Sequence, residues 1–248
     1  MLIRILARQR KEKGDLMEEF MEKVLDSAGY EDFKRDVRKT GRQIDLYARH
    51  KVTGHPILCE CKAHADRIGA GDFHKFYGVY EKEYQQNDKL IGLFFSLSGF
   101  KSTAVAAYDE LPSNVKHRFL LYNGDFIMSM LRKTKMIASD DKLDYVLKTR
   151  MKYTLGERYL VHTMSGTFWV QLIMTNNKVT HYTVLGSNGE EVPKYICSEI
   201  GLLDVNLKNL KLLDIYAMKK VLIDLLDGLS KTQEEISKET TECIETVH

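Results

Sequence analysis

Between residues 43 and 62 the chain alternates between apolar and polar positions with the period of a β-strand, which predicts a hairpin. Its arms are Gln43–Arg49 and Ile57–Lys62, and Gly54 between them can take the positive φ of a tight turn. If the hairpin is symmetric about Val52 and Thr53, Asp45 lies opposite Glu60, with Cβ atoms about 4.5–5.5 Å apart. On the first arm, one face is expected to carry Ile44, Leu46 and Ala48 and the other Asp45, Tyr47 and Arg49.

Helix-period and strand-period segments surround this hairpin. Asp15 is expected to cap a first helix over Leu16–Ala28, which the basic residues between Arg8 and Lys13 would precede. Further segments are, in order, a strand at Phe33–Val37, a helix from Asp72, a buried strand at Leu90–Ser96, a helix at Thr103–Tyr108 and a strand at Arg118–Tyr122. Together they predict a mixed sheet with helices on both faces.

A different pattern begins near Lys133. A helical connector over Met136–Arg150 is followed by three strand-like runs separated by turn sequences, at Tyr159–Met164, Thr167–Met174 and Val179–Leu185. Helical periodicity then extends from Leu202 towards the C-terminus. The expected fold is α/β over residues 1–132, followed at 133–248 by a smaller α+β domain with an antiparallel meander at 158–185 and helices at 203–247.

Composition narrows the class of protein. With 44% apolar and 29% charged residues among 248, the chain is typical of a globular protein, and a net charge of +2 excludes a polycation. No apolar run approaches the roughly 20 residues of a membrane span, and the apolar start of the chain is too short for a signal peptide. The four cysteines lack zinc-ligand spacing, so reduced thiols and a cytoplasmic location are expected.

Asp45, Glu60 and Lys62 would bring two carboxylates and one ammonium to one end of one face of the hairpin. Two carboxylates at such a distance repel each other unless a cation compensates them. Lys62 supplies one positive charge, and Mg²⁺, which prefers hard oxygen ligands, would supply the rest. The alternative is a surface hairpin with solvated charges, although Glu60 and Lys62 stand in an otherwise apolar arm.

Basic residues are concentrated around the predicted hairpin. A local patch of this kind suits a phosphate backbone, although it is equally what a solvated charged face looks like. The glycine-rich segment after Lys62 adds further polar groups that could reach phosphate. The candidate nucleic-acid contacts are Arg38, Lys39, Arg42, His64, Arg67 and Lys75.

The order of these features resembles the PD-(D/E)xK nuclease superfamily, and most closely its Mrr-like restriction endonuclease branch. An acidic helix ending in Gly29-Tyr30 precedes the pattern Asp45–x14–Glu60-Cys61-Lys62, and a Phe-Phe-Ser strand with Ser98-Gly99-Phe100 follows. The likeness covers roughly the first half of the chain. Two departures, Gln43 in place of a common glycine and the absence of a proline before the aspartate, remove no metal ligand.

The resemblance implies a metal-dependent endonuclease that hydrolyses DNA phosphodiester bonds. Asp45, Glu60 and the backbone carbonyl of Cys61 would hold Mg²⁺, for which Mn²⁺ could substitute, and Lys62 would position the attacking water. The family also places a helix acid near the metal, which Glu18 matches, with Glu19 as second choice.

The wider role has three competing interpretations. The first is restriction or antiphage defence, with the nuclease acting as the effector of a sensor ATPase and assembling as a homodimer or larger oligomer. The second is structure-specific cleavage, as in junction resolvases. The third is a DNA-binding or assembly module without catalysis, against which the intact Asp, Glu and Lys set argues.

Overall fold

The computed structural model describes residues 2–39, 42–149 and 153–215. The elements of its first half are β1 (Ile3–Ile5), α1 (Arg10–Ser27), β2 (Tyr30–Lys39), β3 (Arg42–His50), β4 (Pro56–Lys62), α2 (Ala70–Tyr84), β5 (Ile91–Ser96), α3 (Ser102–Asp109), α4 (Ser113–Lys116), β6 (Phe119–Asn123) and α5 (Gly124–Lys133). The second half contains α6 (Asp140–Lys148), β7 (Thr154–Thr163), β8 (Gly166–Thr175), β9 (Lys178–Gly186), α7 (Lys194–Leu203), a 3₁₀ turn at Val205–Leu207 and β10 (Lys211–Leu212).

The predicted mixed sheet is present. Its strand order is β2-β3-β4-β5-β6, with antiparallel pairing from β2 to β4 and parallel pairing from β4 to β6. Helix α1 packs on one face, while α2 and the aromatic residues Phe73, Phe76 and Tyr80 fill the core on the other. Because β4, β5 and β6 run in the same direction, their carboxyl ends meet at one edge of the sheet.

The register of the β3–β4 hairpin agrees with the prediction. Leu46 pairs with Cys59 and Arg49 with Pro56, so the hairpin is centred between Val52 and Thr53. The turn residue Gly54 has φ +67°, which a residue with a side chain adopts only with strain.

The predicted alternation of faces on β3 is wrong at its first residue. Leu46 and Ala48 pack on the α1 side of the sheet, but Ile44 packs with Leu58 and Phe73 on the α2 side. The strand therefore departs from regular alternation between Ile44 and Leu46. As a result the side chain of Asp45 faces the α1 side, where it lines a cleft with residues of that helix.

Helix α1 begins six residues earlier than the sequence pattern predicted, at Arg10 rather than Leu16. The Glu12 carboxylate accepts hydrogen bonds from the backbone N–H groups of Arg8 and Gln9, at 2.9 and 3.3 Å, and so satisfies donors that a helix start leaves free. Arg10 and Lys13, expected to precede the helix, are therefore part of its first turns.

The second sheet has the order β1-β7-β8-β9-β10, and its central β7–β8–β9 segment is the predicted antiparallel meander. Its first strand comes from the other end of the chain, since Ile3 of β1 pairs in parallel with Leu160 of β7. One hydrophobic core runs from this sheet, through α1, to the first sheet. A boundary between two domains at residues 132 and 133 stays a prediction.

The helices predicted over residues 203–247 can be compared with the structure only up to residue 215. Helix α7 lies earlier than expected. Residues 204–214 contain a 3₁₀ turn and the short strand β10 in place of an α-helix, and Leu212 of this strand pairs with Tyr182 on the edge of the second sheet. The remaining helical pattern falls on residues 216–248, outside the described residues. Within the described part of the chain, no helix combines the length and apolar character needed to cross a membrane.

Candidate active site

Lys62, at the carboxyl end of β4, joins the two acids predicted to form the site. Its ammonium forms an ion pair with the Glu60 carboxylate and lies 3.7 Å from Oδ2 of Asp45. The three side chains are only 23%, 18% and 16% exposed, respectively, so water screens their charges weakly. The structure thus brings Asp45, Glu60 and Lys62 together.

Asp45 is held in place by the neighbouring strand. Its Oδ2 accepts a hydrogen bond of 2.7 Å from the backbone N–H of Cys61. This bond fixes the carboxylate beside the end of β4. The departure from regular alternation between Ile44 and Leu46 places the carboxylate on the α1 side of the sheet. The Cys61 thiol is buried, which raises its pKa well above the ordinary value and keeps it protonated.

Two cavities lie on either side of Lys62. The larger, of about 500 Å³, lies between α1 and the loop after β4, and is lined by Arg10, Lys13, Gly14, Glu18, Asp45, Cys61, Lys62, Ala63, His64, Ala65 and Asp66. The smaller, of about 380 Å³, lies against α2 and is lined by Gln43, Ile44, Glu60, Lys75, Phe76 and Val79. Asp45 therefore faces one cavity and Glu60 the other, with the Lys62 ammonium in contact with both. The prediction that both carboxylates lie on one face of the sheet is wrong, because the irregularity at Ile44 turns Asp45 to the α1 side.

Of the two candidate helix acids, Glu18 lies in the larger cavity. Burial, followed by the nearby charges of Asp45 and Asp36, raises the pKa of Glu18 to about 8. Glu19 forms an ion pair of 2.7 Å with Lys23 one turn further along α1. The position of Glu18 matches the first of the two sequence-based choices.

The two strand carboxylates, those of Asp45 and Glu60, share the single positive charge of Lys62. Burial raises the pKa of Asp45, and burial together with the charge of Asp45 raises that of Glu60. Burial alone would lower the pKa of Lys62, but its two carboxylate neighbours outweigh this and raise it. One ammonium thus serves two buried carboxylates.

These residues fit a divalent metal ion. Carboxylate oxygens are the hard ligands that Mg²⁺ and Mn²⁺ accept, and a divalent cation would offset the burial and the repulsion that raise the three carboxyl pKa values. Within residues 2–39, 42–149 and 153–215, no three acidic, histidine or cysteine side chains already converge as a ligand cluster. A site here would therefore draw on two carboxylates together with backbone oxygen or water.

The predicted nucleic-acid contacts lie in different places. His64 is exposed and lines the larger cavity, and Lys75 lines the smaller one, 3.8 Å from Asp72. Arg67 is exposed on the loop after β4 but is not part of the cavity lining, and Arg38 is exposed on β2. The side chains of Lys39 and Arg42 lie outside the described part of the structure.

Three groups near this site are absent from the predicted site residues, although two of them, Arg10 and Lys13, belong to the basic segment noted before the first helix. Arg10 and Lys13 line the larger cavity, and the signal for them is their helical spacing from Glu18, visible only once α1 is known to start at Arg10. Asp36 is the third, and its charge reaches Glu18 and Asp45. The Gln43 amide donates to Asp36, which gives this departure from the family pattern a structural partner.

The fold and the paired carboxylates with their lysine define a restriction-endonuclease-like α/β protein. A family profile described as "Restriction endonuclease" matches residues 10–131, which contain every element of the first sheet and the whole candidate site. This segment belongs to the Mrr-like restriction endonucleases of the PD-(D/E)xK superfamily, so the chain carries a DNA nuclease domain. Enzymes of this family generally use divalent metal ions.

Three solved structures are similar to part of this chain. A protein of unknown function, AF1548, is 14% identical, with 55% of this chain and 77% of that chain covered and a TM-score of 0.40. A repair endonuclease from Pyrococcus abyssi is 12% identical over 47% of each chain, with a TM-score of 0.36. EndoMS in complex with double-stranded DNA is 16% identical, with 46% and 44% covered and a TM-score of 0.36. The chain thus spans less than half the length of the latter two, and the family assignment rests on the profile match.

No curated protein sequence matches the chain significantly.

Proposed function

We propose that this protein is a metal-dependent endonuclease that hydrolyses phosphodiester bonds in DNA. The observation that carries the proposal is the contact of one ammonium, that of Lys62, with both Asp45 and Glu60, between two open cavities. Asp45, Glu60 and the Cys61 carbonyl would hold Mg²⁺, with Mn²⁺ as a substitute. When bound, the ion supplies Lewis-acid polarisation of a phosphate oxygen and lowers the pKa of water.

Lys62 would act on the reacting phosphate. Its ammonium is held by two carboxylates on strands, so its position is fixed before substrate arrives. A cation preorganised in this way, in a site that water screens weakly, stabilises negative charge that develops on the phosphate oxygens in the transition state. It can also donate a hydrogen bond that orients the attacking water.

Glu18 would act on that water once the metal ion is bound. Its pKa of about 8 in the metal-free protein means that the carboxyl group is mostly protonated at neutral pH. A divalent cation near Asp45 would lower this pKa and make the carboxylate available as a hydrogen-bond acceptor. The expected role of Glu18 is therefore to orient water rather than to hold the ion directly.

The DNA strand would cross the sheet edge between the two cavities. His64 on the α1 side and Lys75 on the α2 side are exposed polar residues that line the two cavities beside the carboxylates. Arg38, Lys39, Arg42 and Arg67 would extend this surface. Such side chains would contact phosphates, and the resulting affinity would depend on salt rather than on sequence.

The test is cleavage of four substrates, namely supercoiled plasmid, linear duplex, four-way junction and RNA, each with Mg²⁺, with Mn²⁺ and with EDTA. Wild type is expected to cut DNA with either metal and not with EDTA, and Lys62→Ala to cut at least about 100-fold more slowly. Lys178→Ala, which removes an exposed lysine from the distant β9, is the control and should match wild type. Cleavage by Lys62→Ala at the wild-type rate would contradict the proposal.

The biological setting we propose is restriction or antiphage defence, with the nuclease recruited by a sensor ATPase and working as a homodimer or larger oligomer. Membership of a restriction endonuclease family supports this setting. A preference for the four-way junction over duplex of the same sequence would instead favour a junction-resolving enzyme. Full function after Asp45→Asn would favour an assembly module without catalysis.

A further inference from the structure

Helix α1 presents one continuous stripe to the larger cavity. Arg10, Gly14 and Glu18 follow one another at intervals of four residues, so they lie on the same face of the helix, with Lys13 beside them. The last of these residues is already part of the candidate active site. The first two turns of the helix line the same cavity through Arg10, Lys13 and Gly14.

The Lys13 ammonium is partly shielded from water, and no described carboxylate forms an ion pair with it. It is half-buried, and burial lowers its pKa. Among the described residues no carboxylate lies within ion-pair distance of its ammonium, whereas Lys23, on the same helix, is 2.7 Å from Glu19. A partly desolvated ammonium facing an open cavity is suited to an anion that arrives from outside.

Neither packing nor backbone geometry requires a glycine at position 14. It lies inside α1, where glycine is about 1 kcal/mol less favourable than alanine, and its φ is not in the left-handed region. A Cβ built at this position would meet no atom within 4 Å. No neighbouring atom in the protein therefore requires a glycine at this position. The missing side chain leaves a gap in the cavity wall between Arg10 and Glu18.

The spacing along α1 matches a nucleic-acid strand. With a rise of about 1.5 Å per residue, Lys13 lies roughly 7.5 Å and Arg10 roughly 12 Å along the helix axis from Glu18. One strand of DNA carries a phosphate about every 3.4 Å of its own axis. For a DNA strand that runs along α1, the two cations would meet phosphates about two to four nucleotides from the one at the carboxylates.

We propose that the first two turns of α1 form a clamp for the DNA backbone, in which Arg10 and Lys13 bind phosphates beside the scissile one and Gly14 leaves room for the strand. This inference rests on the proposed DNA nuclease function and extends it to residues outside the Asp, Glu and Lys set. Arg10 and Lys13 are positioning residues: they hold the strand so that the reacting phosphate reaches Lys62.

The first experiment measures binding of the full chain to a fluorescein-labelled 20-base-pair duplex in EDTA, at several salt concentrations. Lys13→Ala is expected to bind about tenfold more weakly and to reduce the slope of log K against log salt by about 0.9, the loss of one phosphate contact. Lys11→Ala is the matched control, since this neighbouring lysine is exposed and does not line the cavity. It should change affinity less than twofold.

The second experiment separates the clamp from the stability of the helix. Gly14→Gln places a good helix former in open space, so the melting temperature should stay the same or rise. Its side chain would fill the gap, and plasmid cleavage with Mg²⁺ should fall at least about tenfold with a matching loss of duplex affinity. Unchanged cleavage by Gly14→Gln would overturn the role of the gap.

The outcomes distinguish this inference from the function on which it rests. If wild type neither binds nor cuts DNA, the proposed function fails. If wild type cuts DNA while Lys13→Ala keeps its affinity and salt slope, the clamp alone is wrong. Equal losses in Lys11→Ala and Lys13→Ala would also overturn the clamp, because they would show a general surface charge effect.

Discussion

Glu18 of α1 and Asp45 of β3 face the same cavity, and burial, followed by the charge of Asp45, raises the pKa of Glu18 to about 8. The helix and the strand come from different parts of the chain, yet their acids affect each other electrostatically. This pairing predicts how the stability of the protein varies with pH, and how it responds to metal ions.

Glu18→Gln is expected to stabilise the metal-free protein at high pH. The folded-state pKa of Glu18 lies above its ordinary value of 4.5, so the folded protein binds a proton that the unfolded chain releases. Its favourable contribution is complete below pH 4.5 and is lost as the pH rises towards 8. The melting temperature of Glu18→Gln should match wild type at pH 4.5 and exceed it by roughly 3 °C or more at pH 8.5, in EDTA.

Melting curves at four or five pH values in this range check the prediction. Glu19→Gln, a change of the adjacent acid whose pKa is lowered by its hydrogen bond to Lys23, is the control and should show no gain that grows between pH 4.5 and 8.5. A constant difference between Glu18→Gln and wild type would contradict the proton linkage.

Divalent metal should stabilise wild type and not Asp45→Asn. An ion that binds only the folded state stabilises it by about 2.7 kcal/mol at 100 times its dissociation constant. Differential scanning fluorimetry with increasing Mg²⁺ or Mn²⁺ measures this effect without any substrate. An equal rise in melting temperature for wild type, Asp45→Asn and Glu60→Gln would place the metal elsewhere.

Lys62→Met should make stability more sensitive to pH. Without the ammonium, the buried Asp45 and Glu60 carboxylates repel each other, which should cost about 1–3 kcal/mol at pH 8. The cost should shrink as the pH falls, because protonation of the raised-pKa carboxyls removes the repulsion. Urea unfolding at pH 5 and pH 8 measures both values.

Mg²⁺ offers an independent check on Lys62→Met, since a divalent ion should restore more stability to this variant than it adds to wild type. A loss of stability equal at both pH values and insensitive to Mg²⁺ would indicate a packing defect instead of uncompensated charge.

Asp204→Ala should destabilise the second sheet strongly. The Asp204 side chain is 2% exposed and accepts hydrogen bonds from Arg4 at 2.9 Å, from the Tyr159 hydroxyl at 2.9 Å and from the backbone N–H of Asn206 at 3.0 Å. Its removal leaves Arg4 without its carboxylate, which should cost about 3–5 kcal/mol. Urea unfolding at pH 7 measures the loss, and the exposed Asp141→Ala should stay within about 0.5 kcal/mol of wild type.

The parts of the fold that follow from local pattern could be predicted. The register of the hairpin follows from strand alternation and the Val52-Thr53 turn, both of which are local. The three strands of the meander follow from their turn sequences in the same way. The convergence of Asp45, Glu60 and Lys62 was predicted from that register.

The remaining features depend on contacts between distant parts of the chain. The change of face at Ile44 accompanies a hydrogen bond from Cys61 to Asp45 across the hairpin, and no alternation pattern encodes it. The early start of α1 was missed because Gln9 is a weak capping signal and Gly14 discourages a helix prediction. The pairing of β1 with β7 links residues too far apart in sequence for periodicity to detect.

The strand Ile3–Ile5 lies in the second sheet, while the helix that follows it carries Glu18 into the first. A gene truncated after residue 132 would therefore give a fragment whose opening strand has no neighbour to pair with. The buried face of its first helix, which includes Phe20 and Met21, would lose the apolar residues of the second sheet that belong to the same core. Protein prepared for biochemistry should keep the meander attached, because it packs against the helix that lines one wall of the candidate active site.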